Sequence, residues 1–328
     1  VASLPLTLAC WDYDRTAPIA DGRVAVGGVD LTYLTLRVEE TFLRMIAHRE
    51  FDAAEMSLSS YTMSKFRNDA FVALPVFPSR VFRHASIYVT EKSGIREPKD
   101  LIGKRVGVPE YQMTAAVWIR GMLADVYGVP VSSVAYFTGG EEHAGRTEKL
   151  SLNLPPEIKV QPIPSDRTLT EMLGTGELDA LYTAQAPSNY VRDGAVRRLF
   201  EDYIDAEKDY YRRTQLFPIM HTIVLRRDLY ERHRWLAVEF YKAFVRAQAI
   251  AYENLHHTGV TKTMLPWMSA YNDATRELMG DDFWPYGLEK NRKTLETFLR
   301  YHFEQGLSPR LLEPAELFAP ETLESYKV

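Results

Sequence analysis

Apolar and polar positions along the chain alternate between short runs of strand length and amphipathic stretches of helix length, joined by polar, hydroxyl-rich loops. Residues 4–10 (LPLTLAC) form a buried-strand candidate that empties into Trp11, Asp12, Tyr13, Asp14, Arg15 and Thr16. A second strand spans 29–35, a short helix 39–48 turns Phe42, Leu43, Met45 and Ile46 inward, and a third strand, 51–56, contains Glu55 and opens onto Ser57, Ser59 and Ser60. This order predicts an α/β lobe whose loops gather on one edge. A strand ending in a loop with a Trp, two carboxylates and an Arg fits the place where such lobes hold ligands, beyond the strand carboxyl ends. The alternative is a solvated loop with a local Asp–Arg pair.

Residues 71–89 (FVALPVFPSRVFRHASIYV) set Ser79, Arg80, Arg83 and His84 between two apolar strands. The stretch 103–127 then reads as strand, tight turn and helix: 104–108 extended, Pro109 as a stop, and Ala115, Ile119, Met122 and Val126 on one helical face. Backbone N–H groups near 112–115 lack carbonyl partners in a first helical turn, so the turn predicts an anion site suited to a carboxylate. Capping by Thr114 and water satisfies the same groups. Further strands follow at 134–137, 159–162 and 178–182, with a helix at 169–173, and 144–158 reads as a surface insertion. Residues 218–225 (PIMHTIVL) read as a return crossing with His221 in its middle, and 229–257 as one long helix.

Two crossings, near 85–90 and 218–225, make the lobes discontinuous in sequence and predict a hinged, two-lobed α/β protein with a ligand cleft between the lobes. The first lobe is expected over 1–88 and 221–328, closed by the C-terminal helices, and the second over 89–220. At 328 residues the chain is long for one core, which agrees with two lobes.

Charge and composition narrow the function by exclusion. A net charge of -5 offers no general attraction to nucleic acid or to an anionic membrane surface, so neither is an expected partner. No apolar run approaches the ~18 residues of a membrane helix, and no charged stretch followed by an apolar one opens the chain. One cysteine, Cys10, excludes an internal disulfide. Cytoplasmic residence is the expectation, although a start at Val1 leaves a removed leader open. The number of subunits is left open too, a homo-oligomer included. No phosphate-binding loop, dinucleotide fingerprint or serine nucleophile elbow is present.

Five passages carry a family likeness: LACWDYDRTAPI at 8–19, FDAAEMSLSSY at 51–61, FPSRVFRHASIYV at 77–89, LIGKRVGVPEYQMTAAVWIRG at 101–121 and FPIMHTIV at 217–224. The chain resembles the 4,5-dihydroxyphthalate decarboxylase family, on the type II periplasmic-binding-protein-like fold. The resemblance implies loss of one carboxyl group from 4,5-dihydroxyphthalate, an aromatic dicarboxylate, to give protocatechuate. Each carboxyl carbon of that substrate lies para to a hydroxyl, which supplies the electron push, so no cofactor is expected.

Such a reaction needs an anchor for the carboxylate that stays, an acceptor for the phenol and an acid aimed at the ring carbon. Residue chemistry suggests Arg15, Arg80, Arg83 and the amides around Gln112 and Thr114 for the anchor, with Ser57 beside them. Asp12, Asp14 and Glu55 suit the acceptor, and Trp11 and Tyr111 offer faces for a flat ring. His84 and His221 are the candidate acids, because imidazole titrates near neutral pH. No metal is assigned, though a divalent ion held by Glu55, His84 and His221 is the arrangement to test. The rival functions are a solute receptor for a carboxylic acid, serving a membrane transporter, and a pyrimidine-precursor synthase that consumes a histidine.

Overall fold

The computed structural model describes residues 3–192 and 194–323. Its strands are β1 (Leu4–Ala9), β2 (Val29–Leu34), β3 (Ala53–Ser57), β4 (Phe71–Arg80), β5 (Ile87–Thr90), β6 (Arg105–Val108), β7 (Ala135–Thr138), β8 (Lys159–Pro162), β9 (Ala180–Tyr182), β10 (Val196–Arg198) and β11 (Ile219–Arg226). They form a five-stranded sheet, β2-β1-β3-β11-β4, and a six-stranded sheet, β10-β5-β9-β6-β7-β8. The chain divides into two compact units, one of Val1–Arg80, Ile219–Leu295 and Glu313–Val328, the other of Val81–Pro218 and Glu296–Leu312. Among the described residues no helix is long and apolar enough to cross a membrane.

In the first unit β1 runs parallel to β2 and β3, and β11 returns antiparallel between β3 and β4. Every residue of β3 is buried, as expected for the central strand of a covered sheet. The β3–β11 register sets Ser57 opposite His221 and Glu55 opposite Ile223. Side chains two apart on a strand share a face, so Glu55 and His221 are diagonal neighbours on one face of the sheet. The β11–β4 register shifts on both sides of His221, a local irregularity of the kind that re-aims a side chain. The predicted single helix over 229–257 is broken: Arg227–Arg232 and Trp235–His256 are separate helices, with His233 at φ -139° and ψ 61° between them.

In the second unit β6 pairs in parallel with β7 and β9, while β5 lies antiparallel to β9 and β10. Tyr88, Leu169, Met172, Leu173, Leu178 and Leu181 fill its core. The helix Thr114–Tyr127 buries its first ten residues and stops at Gly128, whose φ of 68° suits a glycine cap. On this helix a Cβ at Gly121 would lie 2.1 Å from the Tyr301 ring, so only glycine admits that close approach. Trp118 packs on Phe298 and Tyr301, and Asp125 accepts from the Tyr301 hydroxyl at 2.8 Å. These contacts explain why 296–312 belongs to the second unit, where the pattern assigned all C-terminal helices to the first. The helix Tyr203–Thr214 falls in a stretch with no predicted element; only Tyr210 of it is buried, so its apolar stripe is too thin to read.

Candidate active site

The centre of the first unit holds a buried carboxylate with four donors around it. Glu55 is fully buried on β3, between the end of β1 on one side and β11 on the other. Its Oε1 lies 2.6 Å from His221 Nδ1 and accepts from the Tyr13 hydroxyl at 2.7 Å. Its Oε2 accepts from the Trp11 amide at 3.1 Å and from the Cys10 thiol at 3.5 Å. A carboxylate so enclosed is an orienting group rather than a base for substrate, and this corrects the sequence-based expectation that Glu55 accepts a phenolic proton.

Burial alone would push the Glu55 carboxyl up, but the charge and hydrogen bond of His221, the Tyr13 hydroxyl and the Trp11 amide outweigh it and hold the group below the ordinary carboxylate range. Burial and the Glu55 charge in turn drive the Tyr13 phenol upward, so Tyr13 is a donor. The same two causes keep Cys10 a thiol rather than a nucleophilic thiolate. His221 is thus fixed through Nδ1, with the Phe42 ring packed edge-on at 4.9 Å. Its Nε2 takes no hydrogen bond among the described residues, and the side chain is 15% exposed. An imidazole oriented through one nitrogen and open at the other is an acid–base arrangement.

The other first-unit candidates divide. Trp11 is 39% exposed in the loop beside this network, with its carbonyl accepting from Tyr33 at 3.1 Å. Ser57 is buried opposite His221 and caps the helix Leu58–Ser64 by accepting from the Ser60 amide at 3.4 Å. Arg15 is already engaged: it donates to the Pro78 carbonyl at 2.7 Å and to Asp14 at 2.9 Å, and lies over the rings of Tyr13 and Trp284. Asp12 is exposed and joins no hydrogen bond or ion pair among the described residues. Arg80 is buried and donates to the Pro285 carbonyl at 2.8 Å and to Asn291, which makes it a tie to 285–291 rather than a substrate anchor.

His84 and Arg83 belong to the second unit. His84 is fully buried, with Nε2 3.0 Å from the Tyr127 hydroxyl and the rings of Tyr127, Phe200 and Tyr210 edge-on around it. Burial, helped by the Arg213 charge, pushes it down to about 4, so at neutral pH it is an uncharged core residue. That environment does not suit the acid role expected of it. Arg83 is buried beside Ser86 and is pushed down to about 10 by burial, against the opposing charge of Glu207.

The turn after β6 meets a carboxylate, but the chain's own. Glu148, from the predicted surface insertion, places Oε1 2.5 Å from the Tyr111 amide. Next to it Glu110 is 1% exposed and accepts from Arg146 at 2.9 Å and from Lys149. With its amide oriented to match the surrounding donors, the Gln112 side-chain oxygen accepts from the amides of Lys149 at 3.2 Å and Leu150 at 3.0 Å. Tyr111 is buried beneath the Arg120 guanidinium at 3.8 Å, which excludes its ring as a stacking face for substrate. Thr114 is buried as the first residue of its helix, and the N-cap position is Met113. Tyr13, Glu110, Arg120 and Glu148 escape sequence reasoning. Each is defined by a partner many positions away, although Tyr13 stands inside the loop already singled out.

Among the described residues no group of three or more His, Cys, Asp and Glu is placed to hold a metal ion. Glu55 and His221 share one network, and His84 does not join it.

Comparison with known proteins agrees with the two-sheet α/β fold. The chain matches the alkanesulfonate-binding protein SsuA from Xanthomonas axonopodis pv. citri bound to MOPS with a TM-score of 0.54, at 12% identity, covering 97% of this chain and 99% of that one. The periplasmic aliphatic sulphonate binding protein SsuA from Escherichia coli gives a TM-score of 0.52, at 13% identity, with 98% and 99% covered. These likenesses define the class: a mixed α/β protein of the type II periplasmic-binding-protein-like fold. No family model matches the chain. The 4,5-dihydroxyphthalate decarboxylase from Comamonas testosteroni is 43% identical over 330 residues, covering all of both chains. The protein of the same name from Pseudomonas putida is 43% identical over 211 residues, covering 64% of this chain and 82% of that one. The chain belongs to the 4,5-dihydroxyphthalate decarboxylase family.

Proposed function

We propose that this protein is a carboxy-lyase that converts 4,5-dihydroxyphthalate to protocatechuate and carbon dioxide, with His221 as the acid that protonates the ring. The observation that carries the role of His221 is its 2.6 Å contact with Glu55 through Nδ1, which leaves Nε2 directed away from the carboxylate. The phenol para to the departing group gives its proton to solvent, and regains one when the product leaves; the phenolate in between pushes electron density to the carbon that bears the departing group. The Nε2 proton adds there, the bond from that carbon to the carboxylate breaks, and its electron pair returns to the ring as carbon dioxide leaves. Solvent returns the proton to Nε2. Glu55 stabilises the imidazolium before transfer, and Tyr13, Trp11 and Cys10 hold Glu55 in place.

The substrate supplies its own electron source, so the reaction is proposed to need neither an organic cofactor nor a metal. Cytoplasmic residence belongs to the same proposal and agrees with a chain whose single cysteine, Cys10, forms no internal disulfide. The fold shared with sulfonate-binding proteins says nothing of activity by itself. Purified protein given 4,5-dihydroxyphthalate is expected to release carbon dioxide and protocatechuate at a rate that a chelator leaves unchanged. Absence of carbon dioxide, with and without divalent metal, would sink the reading.

A further inference from the structure

At the turn after β6 the second unit holds two carboxylates, Glu110 buried and Glu148 half-buried, and they are unequal. Glu110 is saturated by Arg146 and Lys149, which pins the segment 146–149 to the turn after β6. Glu148, on the same segment, has one strong contact, Oε1 to the Tyr111 amide at 2.5 Å, while Oε2 is buried without a hydrogen-bond partner. A second group at the same turn is also incompletely matched. Arg120 is 1% exposed; it donates to the Tyr111 carbonyl at 2.6 Å and to the Gln305 side chain at 2.7 Å, yet Nη1 has no partner. Buried polar atoms left unmatched on two side chains that bond the backbone of one residue, Tyr111, mark a place built for an additional polar occupant.

We propose that the amides of Tyr111 and Gln112 form a carboxylate-binding site that Glu148 fills in the absence of ligand, and that a ligand carboxylate displaces the Glu148 side chain. Glu110 makes the exchange local, because its ion pairs hold 146–149 in place while one side chain swings out. The charged groups acting on Glu148 are Glu110, which opposes its ionisation, and Arg120, which favours it; both turn amides favour it as well. Burial exceeds the favourable contacts and pushes the carboxyl up to about 7. Above that pH Glu148 is an anion that competes well for the amides, and below it a neutral group that yields them. The site stands on this geometry alone, whereas the choice of an aromatic dicarboxylate as its ligand rests on the activity proposed above.

Titration calorimetry of the full chain with phthalate, which lacks the hydroxyls needed for decarboxylation, tests the exchange. Glu148→Ala is expected to bind about tenfold more tightly than the parent at pH 8, as for a site self-occupied nine-tenths of the time, with the gap closing near pH 6. Equal or weaker binding by a folded Glu148→Ala protein at pH 8 overturns the proposal, as does phthalate binding to neither protein. Should the alanine protein not fold, Glu148→Gln decides: its affinity must be independent of pH between 6 and 8, and a parent-like slope overturns the proposal. Turnover of 4,5-dihydroxyphthalate is scored separately, so an inactive enzyme with this binding pattern would cost the activity reading and leave the site standing.

Discussion

His221 and His84 are the same side chain in opposite surroundings. His221 has a buried carboxylate on Nδ1 and solvent-reaching surface, whereas His84 has a tyrosine hydroxyl on Nε2, three aromatic rings and no exposure. His221 helps to hold the Glu55 carboxyl below the ordinary carboxylate range, whereas burial disfavours the charged form of His84. A histidine in a predicted crossing strand therefore says little by itself. What separates an acid from a core residue is whether a neighbouring strand presents a carboxylate on the same face, and whether one ring nitrogen remains open.

Replacing the acid should produce the largest effect. His221→Gln keeps a polar side chain beside Glu55 but cannot deliver a proton at neutral pH, so kcat is expected to fall about 10³-fold, within the range for loss of a general acid. Circular dichroism should show the fold retained. Residual activity within about tenfold of the parent would remove His221 from the chemistry and leave the comparison without its first half.

The matching substitution in the second unit should act on stability and not on turnover. An unfolded His84 titrates near 6.5, whereas the folded residue is pushed down to about 4. Between those values the unfolded chain binds the extra proton, so the contribution of His84 is fully present above about pH 6.5 and is lost as pH falls toward 4. The loss amounts to about 3 kcal/mol at most, at roughly 1.4 kcal/mol per unit. Other partly buried groups titrate over the same range, Glu207 and Glu148 among them, so the parent must be compared with His84→Phe. Urea midpoints at pH 7 and pH 5 are expected to fall less in His84→Phe than in the parent, with kcat within about twofold. A kcat loss comparable with that of His221→Gln would show that the aromatic box opens during turnover.

The strands of both sheets are largely legible from apolar runs, because β3, β4, β6 and β11 are largely buried, as is the second half of β1, and their composition shows it. Glu55 is legible for a related reason: a carboxylate in the run AAEMS has no solvent face and needs partners. Its partners are less so. The Cys10–Trp11–Tyr13 loop lies 42–45 residues away in sequence and His221 lies 166 away, distances that no local pattern spans. Glu148 is hidden by the opposite effect, since a charged, irregular stretch reads as solvated surface while its side chains are turned onto Tyr111 and Glu110. Arg80 shows the converse: a buried guanidinium between apolar strands suggests a ligand, while its Nη2 donates to a backbone carbonyl and an asparagine oxygen of the chain itself.

The smallest expected effect separates orientation from packing at the active network. Tyr13 and His221 share one oxygen of Glu55, at 2.7 and 2.6 Å. Tyr13→Phe removes a donor that helps to hold the Glu55 carboxyl low, so the carboxylate becomes a stronger acceptor toward Nδ1. The limb of the kcat/KM profile that reports the Glu55–His221 pair should move up by about one pH unit, from a charged-group hydrogen bond of ~1.5 kcal/mol, with kcat changed about threefold. Glu55→Gln removes the charge itself and should move the same limb down. A Tyr13 that only fills space would lower the melting temperature in Tyr13→Phe and leave the limb where it was. Opposite movements in the two variants require instead that the proton affinity of the pair is set by competition for a single carboxylate oxygen.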